Sequence, residues 1–386
     1  MTEGFSMPLN QARPPLCVLP RACRITAGLL IALLLAACGT VESNRRAERP
    51  ADPVSGQSRA QPARSPTQQQ LANEAEAMAP LAKSDLAKQF LRATDGLPTI
   101  ATRVAYRDDN SRDFFSPQEA ALLPADRRKM LTTIEFDEYR YYYTKYGSPL
   151  AYMRLLDLAY AHGLADVGRS NILDVGYGSI GHLRLLASLG ANVTGVDPDR
   201  YLNALYREAS DQGSVAPAKR VPRGRGGSLS LAHGRWPGTT EIAHAVSTRG
   251  PYQLIISKNT LKRGYLKPER RAPKSQLIKL GVSDDVFLKS VHAALAPGGL
   301  LVIYNLAPKQ AAADKPYLPH ADARSPFSAE QFARAGLEVL AIDTEDHAFA
   351  RQMGAALGWD KNDKGETVND LDANLFALYT LVRRAA

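Results

Sequence analysis

The stretch NILDVGYGSIGHLRLLASLGANVTGVDPD, residues 171–199, decides the fold. Ile172, Leu173 and Val175 make a short apolar strand, and Gly176, Gly178 and Gly181 follow it as G-x-G-x-x-G. This spacing turns the backbone tightly and lets it approach a ligand closely, while the next helix aims its free N–H groups and positive dipole end into the same space. Leu183, Leu186 and Leu189 give that helix an apolar stripe. A second strand over 192–196 delivers Asp197 to the carboxyl edge of the sheet, 21 residues after Gly176. A carboxylate there can accept two hydrogen bonds from the paired hydroxyls of a ribose. Strand, glycine turn, helix and spaced acid together predict an α/β fold that takes a nucleoside-type cofactor.

Two kinds of cofactor satisfy that fingerprint, and Asp174 separates them. A dinucleotide site ordinarily runs an apolar strand into its first glycine, whereas L-D-V-G-Y-G places an acid two residues before it. With G-V-D-P closing the second strand, the stretch resembles motif I and the second-strand acid of class I S-adenosylmethionine-dependent methyltransferases. The resemblance covers residues 166–386: YQLIIS at 252–257 is similar to the family's fourth strand, and LAPGGLLVIYN at 295–305 to its P-G-G turn and fifth strand. Residues 229–232 then read as the third strand, and 337–343 and 375–382 as the sixth and seventh.

The resemblance implies a Rossmann-like sheet of parallel strands with an antiparallel last strand, and S-adenosyl-L-methionine as cofactor. It also implies that Asp174, Gly176, Tyr177 and Gly178 lie against the methionine part, that Asp197 holds the ribose, and that Ser257 ends the fourth strand at the same crevice. Two positions depart from the family. Tyr177 stands where a small residue or cysteine is common, and His233, Gly234, Arg235 and Trp236 replace the acid that often meets the adenine amino group.

The 386 residues are 45% hydrophobic, enough for a substantial core. Cys17, Cys23 and Cys38 all precede the region expected to fold, which excludes disulfides and cysteine-ligated metal there. Arg13, Arg21 and Arg24 form a basic leader before a 13-residue apolar run at 25–37, too short for a spanning helix. That run ends Leu35, Ala36, Ala37, Cys38, which resembles the lipobox of bacterial lipoproteins. The resemblance implies a signal peptide over 1–38, acylation of Cys38, and a lipid-anchored protein of the cell envelope. Gly39, in place of an aspartate, points to the periplasmic side of the outer membrane. Residues 39–70, rich in Pro, Arg, Gln, Ser and Ala, read as a disordered tether. Loss of residues 1–37 removes three arginines and Glu3, taking the formal charge from +9 to +7. A start at Met78 would instead leave a cytoplasmic chain without signal or tether.

Between the tether and the glycine strand, residues 71–165 read as a helical cap. Ser84 caps a helix through 92, Ser116-Pro117 with Glu119 forms a capping box, and further helices are expected over 134–145 and 150–161. Tyr139, Tyr141, Tyr142, Tyr143, Tyr146 and Tyr152 crowd this cap and are expected to pack it on the sheet with hydroxyls in water. The alternative is that one or two of them, with Lys145, close over the cofactor.

Methyl transfer from a sulfonium is an in-line displacement that depends on alignment, with a base only where the acceptor must lose a proton. The fourth strand runs into S-K-N-T, which matches no acceptor-specific motif, so the methyl acceptor is left open and no catalytic residue is assigned. His233, His320, His347, Asp343 and Asp346 are the candidate bases. Nothing implies a metal.

Lys258, Lys262, Arg263, Lys267, Arg270, Arg271 and Lys274 face a single acid, Glu269, and Arg220, Arg223 and Arg225 precede the third strand. Such a strip is either a solvated face or a positive edge of the crevice suited to an anionic acceptor, glycan or lipid headgroup; nucleic acid is disfavoured for an exported chain. Two other functions stay open: an envelope lipoprotein that kept the fold without catalysis, and a nicotinamide-dependent oxidoreductase. The first gains weight because the cofactor is made in the cytosol while the lipobox directs the domain outside it.

Overall fold

The structure, a computed structural model, describes residues 64–144, 147–219, 225–362 and 364–386. Cys38, Lys145, Tyr146, Arg220 and Arg223 lie outside them. Two sheets organise the described residues. A small antiparallel sheet, ordered β2-β1-β3, contains β1 (Arg103–Asp108), β2 (Phe114–Phe115) and β3 (Leu131–Phe136). The main sheet comprises β4 (Asn171–Val175), β5 (Asn192–Asp197), β6 (Gly213–Ser214), β7 (Ser228–His233), β8 (Tyr252–Lys258), β9 (Leu295–Ala307), β10 (Leu337–Glu345) and β11 (Phe376–Arg384).

The main sheet has the order β10-β11-β9-β8-β4-β5-β7-β6. β7, β5, β4, β8 and β9 pair parallel, and β11 runs antiparallel between β9 and β10. The mixed α/β, Rossmann-like architecture is the one the class I methyltransferase resemblance implies, including the reversed last strand. Because the chain leaves β4 toward β5 and later returns on its other side at β8, the carboxyl ends of β4, β5, β7 and β8 meet at a topological switch point.

The central strands are apolar throughout because both faces are covered. Ile172, Leu254, Ile256 and Val302 pack against the N-terminal region and Leu183 and Leu186 of the helix Gly181–Ser188. Leu173, Ile255, Leu301 and Ile303 pack on the opposite face against Phe287, Leu288 and Val291 of the helix Asp284–Ala294. The P-G-G segment is not a turn before β9. Pairing jumps from Tyr252↔Leu295 to Leu254↔Leu300, so Pro297 and Gly298 form a bulge inside the strand.

The N-terminal region differs from the expected cap in three respects. Order begins before residue 71: the helix Pro66–Met78 starts at a capping box in which Ser65 accepts from Gln68 N–H, with proline at the first turn, so 66–70 belong to the fold and not to a tether. Residues 134–145 are not one helix, since 134–136 complete β3, where L-T-T-I-E-F favours a pleated strand; Asp137 then caps only Glu138–Tyr142. The region is therefore helix and sheet together, whereas the helices at Asp85–Arg92 and Pro117–Ala121 form where their caps predict. Nor are the hydroxyls of Tyr141, Tyr142 and Tyr152 left to water. Tyr141 donates to Asp211 at 2.8 Å, Tyr142 to the Pro98 carbonyl at 2.5 Å and Tyr152 to the Tyr177 carbonyl at 3.2 Å, because buried hydroxyls need partners.

Candidate functional site

β4 delivers the glycine turn to the switch point. Gly176 and Gly178 take φ values of +82° and +60°, and the Gly176 N–H donates to the Val196 carbonyl at 2.8 Å, tying the turn to β5. Gly176 is also the point of closest approach from the far wall. A Cβ there would lie 2.1 Å from Thr260 Oγ1, and that hydroxyl reaches the Gly176 carbonyl at 3.3 Å.

The six residues expected at the cofactor, Asp174, Gly176, Tyr177, Gly178, Asp197 and Ser257, all lie at this edge, and all are buried. Asp197 is 8% exposed and accepts from the backbone N–H of Asp199 at 2.8 Å and of Gly178 at 3.4 Å. Burial pushes its carboxyl up to about 6, with those N–H bonds opposing the shift. Ser257 is fully buried and donates to the Val175 carbonyl at 2.9 Å, so its hydroxyl ties β8 to β4.

Asp174 meets His182 on the first turn of the glycine helix, Oδ2 to Nε2 at 2.5 Å, with both side chains wholly buried. Burial raises the carboxyl well above its ordinary range and holds the imidazole well below its own, which moves both groups toward their uncharged forms. The Tyr152 ring stacks on His182 with centroids 3.4 Å apart and planes 7° from parallel. Lys258, at the end of β8, places its ammonium 5.4 Å from the centre of the same ring. Burial pushes the Lys258 amine down to about 8, an effect that nearby Asp174 partly offsets. Thr144 closes the other side of the turn, donating to the Gly178 carbonyl at 2.9 Å.

The polar groups suit a nucleoside cofactor. Asp174 Oδ1, His182 Nδ1 and the Tyr177 hydroxyl are buried without hydrogen-bond partners at the crevice floor. His233, paired in register with Asp197 at the end of β7, has an unpartnered Nδ1 as well. Burial holds that imidazole below its ordinary range, so it stands uncharged at neutral pH where the family often has an acid. The space is another matter, since Tyr152 and Thr260 pack onto the floor.

Three of the other candidate bases have side-chain partners. Asp346 bonds Arg154 twice at 2.8 Å and the Tyr304 hydroxyl at 2.9 Å; Asp343 accepts from Ser325 N–H at 2.6 Å; His347 Nδ1 accepts from Ala377 N–H at 3.1 Å. His320 is part-buried, and its carbonyl accepts from Lys262 Nζ at 3.1 Å.

The cationic run after β8 is not one solvated strip. Lys258 and Lys262 are 8% and 3% exposed, and Lys262 also donates to the Leu306 carbonyl. Lys267 pairs with Asp284, Arg263 with Glu269 at 3.5 Å, and Arg270 donates to the carbonyls of Ala313 and Lys315. Arg271, Lys274 and Arg225 remain exposed.

A cleft of about 600 Å³ between Phe114, Phe115, Leu122 and Leu123 and the helix Arg200–Leu205 shares no residue with the glycine turn. Its charges are matched in pairs, Arg200 with Asp113 and Arg207 with Glu119. The sequence reading left His182 and Thr260 without roles at the crevice, and offered Tyr152 only as one of six tyrosines that could close over the cofactor and Lys258 only as one of seven cations at its edge. His182 lay within the decisive stretch, eight residues after Asp174 and one after Gly181.

No protein-family profile matches the chain, and no curated protein matches it. Solved structures similar to it include a putative sarcosine dimethylglycine methyltransferase from Galdieria sulphuraria, at 12% identity, 60% of this chain and 88% of that one, and a TM-score of 0.33. The N-methyltransferase NodS from Bradyrhizobium japonicum WM9, in complex with S-adenosyl-L-homocysteine, is 16% identical, with 61% and 86% covered and a TM-score of 0.30. The cyclopropane synthase MmaA2 from Mycobacterium tuberculosis is 12% identical, with 60% and 83% covered and a TM-score of 0.36. At these values the likeness carries no argument, and the fold rests on the strand order of the main sheet.

Proposed function

We propose that the chain binds S-adenosyl-L-methionine at the β4–β5 edge and transfers its methyl group to an acceptor that enters from the β8 side. The observation that carries this reading is the convergence of a positive-φ glycine turn and a carboxylate, Asp197, at the switch point of the sheet. Bound there, the cofactor would supply an electrophilic methyl group. Asp197 would accept from the ribose hydroxyls, His233 would lie toward the base, and Asp174 with the glycine turn would border the methionine part. The Lys258 amine stands at the end of β8, where the acceptor would approach; lowered to about 8, it is still charged at neutral pH and would have to lose its own proton before it could take one from the acceptor.

A second reading, a non-catalytic protein on the same fold, is favoured by one observation: the groups that would meet the cofactor already have partners or neighbours within the chain. The nicotinamide reading is disfavoured by Asp174 and by the antiparallel β11. Acylation at Cys38 and a place in the cell envelope remain part of the proposal. Among the described residues no helix is long and apolar enough to cross a membrane. Calorimetry with S-adenosylmethionine, S-adenosylhomocysteine and NAD tests the reading. Heat with the first two supports it, and binding of NAD alone would replace it.

A further inference from the structure

We infer that Tyr152 and Thr260 form an intramolecular plug that a nucleoside ligand must displace before it can reach the glycine turn; this rests on the cofactor reading above. Two independent contacts put the plug in place. From the N-terminal side, Tyr152 lies flat on His182 at 3.4 Å and donates to the Tyr177 carbonyl at 3.2 Å, so its ring covers the Asp174–His182 pair. From the β8 side, Thr260 occupies the space that the missing Gly176 side chain leaves, with both its Oγ1 and Cγ2 within 2.6 Å of where a Cβ would stand. Nothing in the glycine turn is exposed while these two are seated: residues 172–183 are buried without a break.

The plugged state is also incompletely satisfied. His182 Nδ1, beneath the Tyr152 ring, and the Tyr177 hydroxyl are buried without partners, and unmet polar atoms in a low-dielectric interior disfavour the state that contains them. A plug that seals the crevice yet leaves its floor unsatisfied is poised between two states. Ligand affinity is then reduced by the fraction of molecules that are unplugged. Gly147, at φ +87° with open space around its α-carbon, precedes the 3₁₀ turn Pro149–Tyr152 that carries the ring and supplies a pivot for its withdrawal.

The test is titration of S-adenosylhomocysteine into the wild type, Tyr152→Ala, Tyr152→Phe and Thr260→Ala, with stopped-flow binding rates and circular dichroism alongside. Tyr152→Ala and Thr260→Ala should each bind about tenfold more tightly than the wild type, with Tyr152→Phe between, and the wild-type rate should level off as ligand concentration rises. Should Tyr152→Ala not fold, Thr260→Ala carries the same prediction. Equal affinity in all four proteins would remove the plug and leave the cofactor reading standing. Weaker binding by Tyr152→Ala would make Tyr152 a ligand contact and overturn its role as a plug. No binding by any of the folded proteins would overturn the cofactor reading, and the plug with it.

Discussion

One wall of the crevice, β4 and β5 with the glycine turn, carries glycines and two acids; the other, from Lys258 at the end of β8 to Lys274, carries seven cations in seventeen residues. The first wall is buried and the second is buried only at its start, at Lys258, Leu261, Lys262 and Gly264, and their charges are satisfied in different ways. Asp174 and Asp197 find partners close in sequence: His182, Asp199 and, across the turn, Gly178. Lys262 and Lys267 find theirs more than forty residues away, at the carbonyls of Leu306, His320 and Pro326. A motif whose partners are local announces its geometry in the sequence. A charge run whose partners are remote announces only that it must be satisfied somewhere, by water or by protein.

Lys262 is the sharpest place to break that contrast. Lys262→Glu would set a carboxylate against two carbonyl oxygens in the interior, and the expected loss is about 3–5 kcal/mol in urea denaturation. A loss below about 0.5 kcal/mol would return this residue to the solvated face. The next effect couples the walls. Gly176→Ala combines a positive-φ position with a clash against Thr260, and should destabilise by about 2–4 kcal/mol. Adding Thr260→Ala removes Oγ1 and Cγ2 but keeps the Thr260 Cβ at 2.6 Å, so it should recover less than half of that, leaving the backbone strain and this contact; strict additivity of the two changes would show that the walls do not touch.

The acid wall supplies a pH signature. The folded-state pKa of Asp197 is raised to about 6 from an ordinary value of 3.8, so the native state holds this proton more tightly than the unfolded chain does. The contribution favours folding fully below pH 4 and is lost as pH rises through 6. Asp197→Asn should therefore be more stable than the wild type by about 1–3 kcal/mol at pH 8 and lose that advantage at pH 4. The opposite trend would mean that Asp197 is held ionised. The smallest effect belongs to the exposed end of the cationic run: Arg271→Glu with Lys274→Glu should change stability by less than about 0.5 kcal/mol and cofactor affinity by less than about twofold. If the double variant also leaves sedimentation with anionic vesicles unchanged at low salt, the run is structure and solvated surface only.

These contrasts say why part of the chain was legible and part was not. The glycine turn and the placement of Asp197 follow from period and spacing, both local properties, whereas the strand order was legible only through the family resemblance. Helices at Asp85–Arg92 and Asp284–Ala294 were marked by Ser84 and Ser283, whose side chains accept from the third residue onward. β3 was missed because residues 131–136 gain their strand partner from β1, some thirty residues earlier, and a run of tyrosines just downstream read as continuous helix. The stack of Tyr152 on His182 joins two elements thirty residues apart, and Thr260 reaches Gly176 across the sheet. No spacing rule connects such pairs.

The most direct measurement of the central claim is the affinity of S-adenosylhomocysteine for the wild type and for Asp197→Ala, taken side by side by calorimetry. Removing a charged acceptor of the ribose hydroxyls should weaken binding by about 1.5–3 kcal/mol, a factor of roughly 10 to 150, while circular dichroism shows the fold retained. Equal affinity in the two proteins, or no heat from either beside clear binding of NAD, would contradict a nucleoside site at the β4–β5 edge that holds S-adenosylmethionine through Asp197.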